Sequence, residues 1–275
     1  MPSNYLCYNN KFYQSNQAVF GLNRALKYGD GLFETIRVKE GSPCYLNSHF
    51  NRLKDGLAIL KIDLSEGQLN EIEVCINQLL IKNEVDKNGK LRLTVYRGGG
   101  GTYKPDTRKA DYFIEAEALP DSANKMNNQG MQIDISNEVI IYPNRYTAIK
   151  TMNSLPYIQA AIEAKEREMD ELILLNNYEG IVEATSSSIF LVKKQEVYTP
   201  PLSEGCLNGI MRSKVMETAK KLNYKVTEIP LKKEALLVAD EVFLTNSIKK
   251  IQWVGAYRKK RYFSKLGKLF FESIY

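Results

Sequence analysis

The stretch that most limits what this chain can fold into is Glu171-Leu172-Ile173-Leu174-Leu175-Asn176. Its apolar core is continuous rather than alternating, the pattern of a strand buried on both faces. Glu241-Val242-Phe243-Leu244-Thr245-Asn246-Ser247 is a second buried strand, and it ends in small polar residues. Ile181–Thr185, Ile189–Val192 and Val197–Thr199 add shorter strand-like segments. Helical patterns run between them. Pro156 opens one that carries Ile158, Ala161, Ile162 and Ala164 toward about Met169. A second places Met211, Val215, Ala219 and Leu222 on one face, and a last one runs from about Ser264 to Ser273.

The first part of the chain reads as strands with two helices. Tyr5–Tyr8 and Lys11–Tyr13 flank Asn9-Asn10, which suits a tight hairpin. Gly29-Asp30-Gly31 precedes an alternating strand, Leu32–Val38, and the turn Glu40-Gly41-Ser42-Pro43 returns the chain. Phe50, Leu53, Leu57 and Leu60 recur at helical spacing, with Arg52 and Lys54 beside that stripe. Ser65 and Gln68 make a capping box for a helix that buries Leu69, Ile72, Ile76 and Leu80. Lys90–Arg97 alternates like a strand and enters Gly98-Gly99-Gly100-Gly101-Thr102-Tyr103-Lys104-Pro105. This is not a phosphate-binding Walker loop, which needs Gly-Lys-Ser/Thr opening a helix. A floppy hairpin tip and a mobile loop over a site are both open. The Pro-, Asp-, Ser- and Asn-rich stretch around Leu119–Gly130 is the best linker, giving domains 1–120 and 131–275 joined by 121–130.

Composition narrows the function classes. At 275 residues with 44% hydrophobic and 25% charged, the chain reads as an ordinary soluble globular protein. No apolar run reaches membrane-span length, and Met1-Pro2-Ser3-Asn4 lacks the start of a signal peptide, so a cytoplasmic, non-membrane protein is expected. Cys7, Cys44, Cys75 and Cys206 have no paired or metal-like spacing and the sole histidine is His49, which argues against structural disulfides and a metal site. The Arg258-Lys259-Lys260-Arg261 cluster is expected to be a solvated turn or strand edge rather than a nucleic-acid contact.

Some features resist a packing explanation. Lys150 follows an irregular aromatic-rich segment, Ile141–Tyr146, and precedes a helix, a place for an amine held at a site. Glu183 lies mid-strand on the opposite face from Val182 and Ala184, so if that face is buried its carboxylate needs a partner. Gly209-Ile210 opens a helix whose free N–H groups suit an anion, and Thr245-Asn246-Ser247 offers donors at a strand end. With Arg52, these describe a phosphate cradle, an amine and a carboxylate, the combination that pyridoxal phosphate needs.

The sequence also resembles the class IV (fold type IV) pyridoxal-phosphate enzymes: branched-chain aminotransferases, D-amino-acid aminotransferases and 4-amino-4-deoxychorismate lyases. The resemblance rests on Tyr28-Gly29-Asp30-Gly31-Leu32-Phe33-Glu34, His49-Phe50-Asn51-Arg52-Leu53, Lys150 with Asn153, and Glu183–Phe190. Tyr198–Leu202, Gly209-Ile210-Met211-Arg212 and Ala239–Phe243 continue it. It implies an α+β fold with a smaller N-terminal α/β domain and a larger C-terminal pseudo-barrel domain, usually as a homodimer. It implies that Lys150 is the Schiff-base lysine and that Glu183 pairs with the pyridine nitrogen. Arg52, Ser187, Gly209, Ile210, Met211, Asn246 and Ser247 would hold the rest of the cofactor, and Phe33, Arg97, Tyr103 and Lys104 would touch a small amino substrate.

Within the family, Asn208, Met211-Arg212, Asn246-Ser247 and Arg97-Gly98-Gly99-Gly100-Gly101 with Tyr103 look like the lyase, which releases pyruvate and 4-aminobenzoate, a folate precursor. Thr102, where the lyase loop often has a basic residue, and Trp253, where a proline is common, depart from it. The expectation is the lyase, with an aminotransferase of branched-chain or D-amino acids as the alternative.

Overall fold

A computed structural model describes residues 5–16 and 21–274. Met1-Pro2-Ser3-Asn4, on which the signal-peptide reading partly rests, lies outside them. The chain packs as two compact units, Met1–Ala123 with Ile149–Asn153, and Asn124–Ala148 with Ser154–Tyr275.

The first unit holds strands β1 (Tyr5–Tyr8), β2 (Lys11–Gln14), β3 (Gly31–Lys39), β4 (Ser42–Pro43), β5 (Asn88–Arg97) and β6 (Ala110–Ala118). Its helices are α1 (Arg24–Tyr28), α2 (Leu46–Leu60) and α3 (Glu66–Lys82). The strands form one sheet in the order β2-β1-β6-β5-β3-β4. Asn9 and Asn10 turn the first hairpin at φ 43° and 63°, the left-handed region that asparagine tolerates. The Ser65–Gln68 capping box forms as expected, and α3 buries Leu69, Ile72, Cys75, Ile76, Leu79 and Leu80. These side chains join Leu53 and Leu57 of α2 and Leu32, Ile36, Leu91, Leu93 and Ile114 of the sheet in one core.

Ile149–Asn153 completes this sheet. At its Gly31 end β3 has β5 on one side only, and the other edge is taken by the returning chain. The Phe33 N–H donates to the Lys150 carbonyl and the Met152 N–H to the Gly31 carbonyl, each at 3.0 Å. Pairing an otherwise open edge fixes the backbone on both sides of Lys150.

The second unit contains β7 (Met131–Ile141), β8 (Glu171–Asn176), β9 (Ile181–Ala184), β10 (Ser188–Lys193), β11 (Glu196–Thr199), β12 (Val226–Glu228), β13 (Glu241–Asn246), β14 (Lys250–Tyr257) and β15 (Lys260–Arg261). Its helices are α4 (Leu155–Glu166), α5 (Ile210–Lys221), α6 (Ala235–Val238) and α7 (Leu266–Ser273). The sheet runs β12-β11-β10-β13-β14-β7-β8-β9, with β15 on β14. The two apolar stretches of the sequence are β8 and β13, with Leu172, Ile173, Leu174, Val242, Phe243 and Leu244 at most 1% exposed. The basic cluster forms the β14–β15 hairpin, where Arg258 pairs with Asp134. Helix α4 departs from the simple pattern: Ala160, Glu163 and Ala164 face inward while Ile158 and Ile162 are exposed. Among the described residues no helix is long and apolar enough to cross a membrane.

Candidate active site

In the first unit the site begins with Lys150, whose Nζ lies 4.5 Å from the centre of the Phe33 ring. Arg92 approaches the same ring at 3.9 Å. It arrives there because Arg92 pairs with Thr35 across β5 and β3, one diagonal step from Phe33. Burial pulls the Arg92 guanidinium below its ordinary pKa, against the opposing charge of Glu115. Lys150 and Arg92 thus both lie within cation–π distance of the Phe33 ring. Arg92 went unnoticed in the sequence because strand alternation places it but does not say which pair lies beside Lys150.

Arg52 is only 8% exposed. Its Nε donates to Glu34 Oε1 at 2.8 Å and its Nη2 to Oε2, while His49 Nδ1 lies 2.6 Å from Oε2. Burial pushes Glu34 up, but the charge of Arg52 and the hydrogen bonds of His49 and Arg52 outweigh it, so the carboxyl titrates below its ordinary value. Arg97 is turned inward. Its Nε bonds Asp30 at 2.9 Å, and Nη1 and Nη2 bond the carbonyls of Lys61 and Leu60 at 2.8 and 2.7 Å. The Arg97 guanidinium is thus bonded within the fold, to one carboxylate and two carbonyls. Tyr103 is 91% exposed and Lys104 is exposed beside it.

In the second unit Glu183 is 4% exposed on β9. The Tyr157 hydroxyl donates to Oε1 at 2.7 Å and the Leu207 N–H to Oε2 at 3.2 Å. Burial first, and then the Glu183 charge, push the Tyr157 hydroxyl far up, so it stays a donor; the same pair of causes raises the Cys206 thiol to about 12. Tyr157 was missed because its partner lies elsewhere in sequence and its own turn of helix looks ordinary.

The anion-binding candidates meet at one end of the second sheet. Ser188 pairs with Thr245, which brings the starts of β10 and the end of β13 together. Asn246 Nδ2 donates to Ser187 Oγ at 3.1 Å, and its Oδ1 accepts the N–H groups of Ile248 and Lys249 in a turn that includes Ser247. A Cβ at Gly209 would fall 2.8 Å from Ser188 Oγ, so glycine lets the start of α5 approach this strand end. No side chain caps α5, leaving the first-turn N–H groups of Ile210 and Met211 pointed outward from the helix start. Ser186 and Ser187 in turn donate to Glu171, whose carboxyl burial raises. Among the described residues no cluster of three or more side chains suited to a metal ion forms.

Comparison with known proteins fits these halves to one family. The family model described as amino-transferase class IV matches residues 31–257. A putative branched-chain-amino-acid aminotransferase of Methanocaldococcus jannaschii is 32% identical over 246 residues, covering 88% of this chain and 84% of the relative. The aminodeoxychorismate lyase of Bacillus subtilis is 29% identical over 252 residues, covering 88% and 83%. The crystal structure of a branched-chain amino acid aminotransferase from Escherichia coli superimposes with a TM-score of 0.87 at 25% identity, covering 98% of this chain and 92% of that one. The chain therefore belongs to the class IV aminotransferases and is an enzyme of that family.

Proposed function

We propose that the protein is a pyridoxal-5′-phosphate-dependent aminotransferase acting on branched-chain amino acids. The donor set supports the cofactor. An uncapped helix start with neighbouring serine and asparagine donors suits a phosphate dianion, and a deeply buried carboxylate suits a protonated ring nitrogen. The observation that carries the choice of reaction is the 32% identity to the Methanocaldococcus jannaschii protein, with the Escherichia coli fold match beside it. Sequence motifs favoured the lyase; these relatives support aminotransfer better.

In this reading Lys150 anchors the cofactor, and Arg52, Ser187, Gly209, Ile210, Met211, Asn246 and Ser247 hold its phosphate side. The bound cofactor supplies an aldehyde for the amino group and a ring that accepts electrons from the substrate α-carbon. Glu183 would face the ring nitrogen and favour its protonated form, and Tyr157 holds Glu183 in place. Lys150 Nζ would hold the cofactor and would serve as the base for the proton on the substrate α-carbon. Phe33 and Arg92 orient the substrate, with Arg92 suited to a carboxylate, and Tyr103 and Lys104 lie on the substrate side. The protein works in the cytoplasm as a homodimer.

Cleavage of aminodeoxychorismate is the second reading, favoured by the Bacillus subtilis relative and by Met211-Arg212 and Asn246-Ser247. The deciding experiment pits 2-oxoglutarate-dependent transamination of leucine, valine and D-alanine against release of pyruvate and 4-aminobenzoate from aminodeoxychorismate. Efficient leucine transamination is expected. Aminobenzoate release without transamination would replace the proposal with the lyase.

A further inference from the structure

Arg24 is a buried cation with no role in the scheme above. It is 5% exposed, and its Nε donates to Asp30 Oδ2 at 2.9 Å. Its Nη1 reaches three successive carbonyls, those of Gly100 and Gly101 at 3.1 Å and Thr102 at 2.7 Å. Asp30 also receives Arg97, so one carboxylate seats both arginines. From the other side, Asp106 accepts the Gly100 N–H at 3.0 and 2.9 Å. The glycine-rich loop is therefore hydrogen-bonded from two sides. It is gripped through its backbone.

The glycines are what make that grip possible. Gly99 and Gly101 sit at φ 73° and 82°, in the left-handed region, and a Cβ at Gly101 would fall 2.3 Å from the Lys104 carbonyl. A guanidinium spent on consecutive carbonyls of one loop holds the shape of that loop; charge-assisted bonds of this kind are the strong, directional ones.

The position of the loop gives the grip a purpose. Arg97 ends β5 where Gly31 starts β3, and the Arg97 N–H donates to the Asp30 carbonyl at 3.0 Å. Two residues further, Phe33 is hydrogen-bonded to the backbone of Lys150. The clamp, the loop and the reactive amine thus share one end of the first sheet. At the loop tip, Tyr103 lies 5.8 Å from the Tyr28 ring, yet remains almost fully exposed.

We propose that Arg24 is a positioning residue for substrate: seated on Asp30, it grips the carbonyls of Gly100–Thr102 and so fixes the loop that presents Tyr103 to the amino substrate. The inference rests on the aminotransferase reading for its substrate. Arg24→Lys, which keeps the charge and loses the fork, should raise KM for the amino acid about tenfold. The cofactor absorbance per protein should be unchanged and kcat should fall less than KM rises. Hydrogen exchange of the amides at 99–104 should quicken at least tenfold. Arg24→Lys combined with Tyr103→Ala should be no worse than the worse single variant, because both act through one loop. If Arg24→Lys does not fold, Asp106→Ala releases the same loop from its surface side and should raise KM in the same way. Unchanged KM, unchanged exchange or additive losses would overturn the proposal. A wild type that transaminates no amino acid would instead overturn the aminotransferase reading, while the exchange rates would still decide whether the clamp exists.

Discussion

Each unit buries one glutamate in mid-strand, and the two are dressed differently. Glu34 on β3 is 1% exposed and Glu183 on β9 is 4% exposed. Arg52 and His49 converge on Glu34, both reaching Oε2 while Arg52 also takes Oε1. Glu183 takes hydrogen bonds from a phenol and a backbone N–H, both neutral donors. A carboxylate neutralised by an arginine has its work inside the fold, where it orients that arginine. The phenol and the backbone N–H solvate the Glu183 carboxylate without removing its charge. By this contrast Glu34 is a structural partner of Arg52, while Glu183 fits the proposed pairing with a protonated cofactor nitrogen.

Exchanging each carboxylate for its amide should separate these roles. Glu183→Gln keeps the shape and removes the charge, so turnover should fall roughly 10²–10⁴-fold, the range for loss of a positioned proton-handling group, with little change in melting temperature. Steady-state kinetics alongside calorimetry would check it, and a variant that unfolds but keeps its specific activity would reverse the assignment. Glu34→Gln should do the opposite. It removes the charge paired with buried Arg52, and breaking such a pair costs about 3–5 kcal/mol of stability, read from denaturant unfolding. Cofactor affinity should weaken with it if Arg52 holds the phosphate.

The acid limb of stability sharpens the same contrast. The Glu34 pKa is lower in the folded chain than its ordinary value of 4.5. Its contribution is therefore complete above that value and is lost as pH falls through the lower folded pKa. Acid unfolding of the wild type should steepen below about pH 4.5, and Glu34→Gln should flatten that limb. An identical limb in both proteins would mean that Glu34 carries no linked stability. The smallest effect is expected from Tyr157→Phe, which removes one donor from Glu183 and costs about 0.5–1.5 kcal/mol. Turnover should drop only several-fold, and a loss as large as that of Glu183→Gln would make Tyr157 a proton donor in its own right.

Where local chemistry dictates structure, the sequence was readable. The Ser65–Gln68 cap, the Asn9-Asn10 turn and the buried strands β8 and β13 all follow from residue type and period. The site was readable as residues but not as partnerships. Glu183 could be flagged as a carboxylate on a strand face, yet its tyrosine donor comes from α4, 26 residues earlier. Arg97 had the right type for a substrate contact, and only tertiary structure shows its nitrogens consumed by Asp30 and two carbonyls. Arg24 is the same lesson from the other side, since its carbonyl partners begin 76 residues away. On α4 the residues named from the sequence did not reveal the buried face: Ala160, Glu163 and Ala164 point inward, while Ile158 and Ile162 are exposed.

Whether Lys150 is the covalent anchor of pyridoxal phosphate is decided by borohydride reduction followed by peptide mass mapping. The yellow absorbance should disappear and a single phosphopyridoxyl label should be found on Lys150, with none in Lys150→Ala. A label on another lysine, or a wild-type protein that takes up no cofactor when it is supplied, would contradict it.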